Sequence, residues 1–179
     1  MSTEASAPKK SANPFLTVSG ILGGVIGFYC GLMLFIPFAG AAAALLLAKH
    51  FASEKLKPFT AALAVIFGHL AWMLVGGFFI PAGLAQVIPD LIIIIAGLLW
   101  LVLRPGLGPV ILLGIYEGIS LVVNVVGIFQ FDYGTAGHKA LTAHIALRLF
   151  ALASLFTGYR QFRKNQAEPA QMEVPPPVA

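Results

Sequence analysis

Charge is scarce in this chain: Asp, Glu, Lys and Arg together make up 10% of its 179 residues, against about 25% in a soluble domain. Too few charges are present to coat a water-exposed surface, while 59% of the residues are hydrophobic. There is a single cysteine, Cys30. It excludes an intrachain disulfide, leaves the redox compartment open, and lies in apolar surroundings that suit an inert thiol. Catalytic signatures are missing as well. No glycine-rich phosphate loop follows a strand, and GxSxG, HExxH and CxxC do not occur. No enzymatic activity, cofactor or metal is expected, and Ser120 beside Glu117 is not a nucleophile arrangement. The formal charge of +4 comes from Lys and Arg grouped between apolar runs, a pattern of membrane topology rather than of nucleic-acid binding.

What the chain has in abundance is apolar sequence. Runs fall at about 15 to 36, 39 to 56, 60 to 80, 83 to 103, 108 to 129 and 140 to 159, each near the ~20 residues that cross the hydrocarbon layer. The expected fold is all-α, a polytopic bundle of six transmembrane helices arranged as sequential hairpins; the alternative is five. Phe15 to Ala52 is too long for one crossing, and a turn at Pro37 to Gly40 divides it. With that turn, Lys9, Lys10, Lys49, Lys55, Lys57, Arg104, Arg160, Arg163 and Lys164 share one side and Lys139 lies opposite. This is the positive-inside bias, which predicts a plasma (inner) membrane protein with both termini cytoplasmic. The second run is the weakest, since Lys49 must snorkel or the segment must lie at the membrane surface. The first run exceeds a signal-peptide core and is expected to be retained.

The expected organisation is a polar, disordered tail over 1–12, a helical domain over 13–160 that opens on Asn13-Pro14, and a basic then Pro-rich disordered tail over 161–179. In the first run Gly20, Gly23, Gly24, Gly27 and Gly31 recur at spacings of three and four. They form a seam on which a neighbouring helix or a second copy can pack closely. LFIPFAG and FFIPAG, at Leu34 to Gly40 and Phe78 to Gly83, read either as two similar outer turns or as a chance match of common membrane residues. Asp90 reads as an acid in a helix first turn near the outer interface or, alternatively, at the mouth of a path. Gln130 to Lys139, with Asp132, Tyr133 and His138, reads as a solvated loop, and Arg104-Pro-Gly as a tight turn.

Polar side chains inside these runs carry the functional question. Glu117 lies near the middle of VILLGIYEGISLVVNVVGIF, where a lone carboxylate costs about 2.5–3.5 kcal/mol on insertion scales. Gly114, Glu117, Ser120 and Asn124 share one helical face, with Ile115, Ile119, Val122 and Val126 opposite. His144 and Arg148 are four apart on the sixth run. His69, Glu117 and Arg148 fall near the midpoints of their runs, and Asn124 and His144 form a second tier. Glu117 is expected to pair with Arg148, because a short loop makes their helices antiparallel neighbours.

The sequence assigns no reaction. A solute or proton path over His69, Glu117, Asn124, His144 and Arg148 is the working expectation; the alternative is a non-transporting accessory subunit or scaffold of a membrane complex, pinned by the same ion pair. The expected partners are the lipid bilayer and either a second copy or another membrane protein, with no nucleic acid.

Overall fold

The helices are separated at Ala52 to Leu56 and at Arg104 to Gly106, where charge, proline and glycine interrupt the apolar sequence, but they run through Pro37 and Pro89. The computed structural model describes residues 35–79, 83–132 and 134–172. These are 92% helical, with no strand among them. The helices are α1 (Phe35–Phe51), α2 (Thr60–Phe79), α3 (Gly83–Leu103), α4 (Leu107–Gln130) and α5 (Gly134–Met172), with a 3-10 turn over Lys57–Phe59 between α1 and α2. Four segments are long and apolar enough to cross a membrane: Lys57–Phe79, Gly83–Leu103, Leu107–Gln130 and Gly137–Ala167. The helix Phe35–Phe51 is also apolar but shorter. The first apolar run, apart from Phe35 and Ile36, lies outside the described residues, as do the glycine seam from Gly20 to Gly31 and the N-terminal tail. Six crossings are therefore an expectation, and four to five are what the helices support.

Several boundaries differ from those read off the sequence. Pro37 to Gly40 is not a turn, because these residues are helical in α1. Nor does the second run extend to residue 56, since α1 ends at Phe51 and the Ser53 carbonyl accepts from the amides of Leu56 and Lys57 in the turn that follows. Asp90 sits two turns into α3, which starts at Gly83, so it caps no helix start. The segment 130–139 is not an extended loop: α5 begins at Gly134, and His138 and Lys139 are helical. Residues 161–172, expected to be disordered, continue α5. Their sequence, with Gln, Arg, Lys and Ala, favours helix, and Phe162 is buried against Phe59 at 5.4 Å between ring centroids.

The bundle is inverted relative to a soluble one. His69 and Glu117 are fully buried and Arg148 is 4% exposed, whereas Ile92, Ile115, Ile119, Val122 and Val123 are each about 60% exposed. Such a surface belongs in lipid. In lipid, helices associate through close packing and polar contacts rather than through burial from water. Small residues accordingly decide which helix is central. Ala62, Ala64 and Gly68 are buried in α2, the helix that packs on α1, α3 and α5. More than half of it is buried (56%), against 22–28% for the other three long segments.

Antiparallel neighbours α3 and α4 are registered by the contacts of Gly97 with Leu113 and of Gly108 with Trp100. At the other end of the bundle from the α4–α5 connection, Gly158 of α5 lies against the Pro58 carbonyl. The connection between α4 and α5 is made compact by Asp132, whose Oδ1 accepts the Gly134 amide at 2.9 Å. Gly134 itself has φ +63°, in the region where a Cβ meets the following carbonyl. A Cβ there would touch nothing else, so Gly134→Ala tests conformation alone. It is expected to cost about 1–2 kcal/mol, read as a lower unfolding midpoint in detergent.

Candidate functional site

The polar cluster is assembled by three helices, α2, α4 and α5. From α4 comes the stripe anticipated by the sequence: Glu117 is buried, Gly114, Ser120 and Asn124 are half-buried, and Ile115, Ile119, Val122 and Val126 face outward. From α5, Arg148 donates from Nη1 to Glu117 Oε2 at 2.9 Å. The expected pairing is present, and it forms between adjacent antiparallel helices. Its geometry is monodentate. Glu117 Oε1 and Arg148 Nε have no hydrogen-bond partner in the protein, although a guanidinium and a carboxylate can form two parallel bonds.

His69 does not join this pair as a third member at the same level. It reaches the residue one turn away, with Nε2 2.8 Å from His144 Nδ1. One of the two nitrogens donates and the other accepts. His144 is thus removed from a separate tier with Asn124 and placed on His69. Trp72, three residues along α2, stacks on the His144 ring at 4.2 Å between centroids and 25° between planes. His69 meets the same ring edge-on at 5.0 Å. His144 is therefore held on two sides by one helix, and Arg148, one turn further along α5, lies near enough for its charge to act on both histidines.

Sequence reasoning missed Tyr116. It is buried beside Glu117, with the Arg148 Cζ 5.3 Å from its ring centroid, a cation over an aromatic face. The signal was available, since it is the one aromatic residue within the aliphatic run from Val110 to Phe129 apart from the terminal Phe. Asp90 is the second addition. It is half-buried on the core side of α3, beside Leu91 and Ile94, and its charge acts on Tyr116 and Glu117.

Five buried polar atoms in this region have no protein partner: His69 Nδ1, Tyr116 Oη, Glu117 Oε1, Asn124 Nδ2 and Arg148 Nε. They include donors, an acceptor and groups that can do either. In a hydrocarbon environment each unsatisfied group costs several kcal/mol. Each has the hydrogen-bonding capacity to take up water or a polar group. Among the described residues no three His, Cys, Asp or Glu side chains come together as a metal-binding set.

These features define a class, that of multi-helix proteins with an apolar outer face and a charged, incompletely paired interior. Comparison with protein-family models, with curated proteins and with solved structures gives no match to this chain.

Proposed function

We propose that the protein binds a small solute or a proton, or conducts it across the membrane, along the face built from His69, Glu117 and Arg148, with Asn124 and His144 adjoining. The observation that carries this reading is the set of five unpartnered polar atoms buried on α2, α4 and α5, two of them in the monodentate ion pair itself. A pair that served only to pin α4 to α5 would be favoured by a second parallel hydrogen bond, which Glu117 Oε1 and Arg148 Nε are available to make and do not. The reading includes no enzymatic step.

The location follows from charge. Lys55 and Lys57 in the α1–α2 connection, Arg104 after α3 and Arg160, Arg163 and Lys164 of α5 gather at one end of the bundle by helix direction. We propose that this end faces the cytoplasm of a cell whose inner membrane holds the protein, and that both termini do so if residues 15–36 make a first crossing as the sequence suggests.

The competing reading is a scaffold or accessory subunit, in which the same contact merely joins two helices. Reconstituted vesicles separate the two. With an imposed pH gradient and a pH-sensitive dye inside, the wild-type protein is expected to dissipate the gradient faster than empty vesicles. Glu117→Gln should slow this by at least about tenfold, in line with the loss of one proton-transfer group, while folded yield stays close to normal. Wild-type vesicles no leakier than empty ones would remove the proton from the proposal. A Glu117→Gln protein that conducts like wild type would remove Glu117 from the path.

A further inference from the structure

The guanidinium of Arg148 has more within its range than one carboxylate. Its Nη1 is on Glu117, its Cζ lies over Tyr116, and its Nε has no protein partner. Tyr116 is also the group on which Asp90 acts, and its hydroxyl lies in range of both Asp90 and Arg148. The register of α3 on α4, fixed by the Gly97–Leu113 and Gly108–Trp100 contacts, brings Asp90 within about one helical turn of Glu117 along the bundle axis. Asp90 lies on the buried side of α3, in line with Leu91, Ile94, Leu98 and Leu101. An acid on the inward face of a membrane helix, two turns in from its start, is neither a cap nor a surface charge. It calls for a cation, and Arg148 is the buried cation of the described residues.

We propose that Asp90 is a second counter-ion for Arg148, and that the species handled by the site is a proton. This deepens, and rests on, the path reading above. A proton arriving from water on one side forms an O–H bond at Glu117 Oε1, the oxygen without a partner. The carboxylate charge that held Arg148 is then gone, and the guanidinium turns across the Tyr116 ring onto Asp90. When the O–H bond breaks and the proton leaves to water on the other side, Arg148 returns to Glu117. No electron moves, and the proton count is unchanged over the cycle. The charged groups acting on Glu117 are Arg148 of α5 and Asp90 of α3; Tyr116 adjoins it on α4, and His69 of α2 and His144 of α5 lie in range of Arg148. Arg148 has one carboxylate available in each half of the cycle, so the buried cation is never left alone, the condition that makes such a charge tolerable at this depth.

The test is a cycle of Glu117→Gln, Asp90→Asn and the double variant, followed by folded yield on size exclusion in detergent and by proton flux in vesicles. Each single variant should keep at least about half of the wild-type yield, because one carboxylate still faces Arg148. The double variant should fall by at least about tenfold, beyond the product of the singles, and adding Arg148→Met should restore it. Asp90→Asn alone should fold normally and conduct poorly. If the double variant is no worse than the two singles combined while wild-type flux is normal, the Asp90 assignment fails and the proton path stands. Collapse of Glu117→Gln on its own would likewise show that Asp90 does not hold the cation. A strongly non-additive cycle in a protein that conducts no protons would overturn the proton half of the proposal.

Discussion

Arg148→Met is expected to be the most damaging single change in the polar cluster. It removes the cation from beside Glu117, which is fully buried and makes its hydrogen bond to Arg148 alone. Stranding one partner of a buried pair typically costs about 3–5 kcal/mol, enough to abolish folding in a protein of ordinary stability. The substitution also withdraws the cation from Tyr116 and from Asp90. Folded yield in detergent should fall by at least about tenfold, on the same scale of energies. The double variant Glu117→Gln with Arg148→Met should recover much of the loss, since a neutral amide and a thioether of similar length replace two charges without leaving either exposed to hydrocarbon. Glu117→Gln alone should be mild by comparison, because Asp90 lies nearby. This asymmetry distinguishes a cation with two anionic neighbours from a symmetric pin, in which either single change would be equally harmful. Near-normal yield for Arg148→Met would mean that the pair contributes nothing to the fold.

The features that were legible in the sequence are those set by the periodicity of a single helix. The inward stripe on α4 follows from residue spacing alone, and Glu117 with Arg148 follows from spacing plus the shortness of the connection between α4 and α5. The position of His69 was harder to obtain. Counting rise along an apolar run fixes the height of a Cα, but the height of a head group depends on side-chain length and on how the helices pack. Arg148 has a long stem and reaches Glu117, whereas His69 is short and meets the nearest group on α5, which is His144. Trp72 makes the same point. Its place on the His69 face was readable, yet its stacking on His144 depends on the approach of α2 and α5.

Proline and polarity were the misleading signals. Pro37, followed by small residues, reads as a turn, but Pro37 to Gly40 are helical and α1 passes through them. The composition of 130–139 reads as a solvated loop, yet His138 and Thr142 are held within α5, with Thr142 Oγ1 donating to the His138 carbonyl. The extension of α5 beyond Tyr159 depends on a contact distant in sequence. Phe162 packs on Phe59 in the core, and local composition gives no sign of the partner that stabilises the additional turns.

The second large effect is expected at Gly68, where α1 crosses α2. A Cβ on Gly68 would stand 2.2 Å from the Pro37 carbonyl oxygen, 3.1 Å from its carbonyl carbon and 3.2 Å from the Ala41 Cβ. The obstructing atoms are backbone, so no rotamer change relieves the clash and α1 must move bodily. Gly40 returns the contact, since its own Cβ would come within 3.1 Å of the Gly68 Cα. Two competing terms act on Gly68→Ala. Replacing glycine by alanine inside a helix favours the folded state by about 0.5–1 kcal/mol, whereas overpacking a tight interface costs about 1–3 kcal/mol. With backbone at 2.2 Å the second term wins, and Gly68→Leu should be worse than Gly68→Ala. Gly76, eight residues further along the same helix, is the control, because a Cβ there meets nothing within 4 Å. Gly76→Ala should leave the unfolding midpoint unchanged or slightly raised, and Gly68→Ala should lower it. Gly68 also precedes His69, so displacement of α2 against its neighbours disturbs the 2.8 Å contact with His144. Proton flux should therefore fall in any Gly68 variant that still folds, and remain at the wild-type level in Gly76→Ala. Equal midpoints for the two alanine variants would contradict the close crossing of α1 and α2 on which the central position of α2 depends.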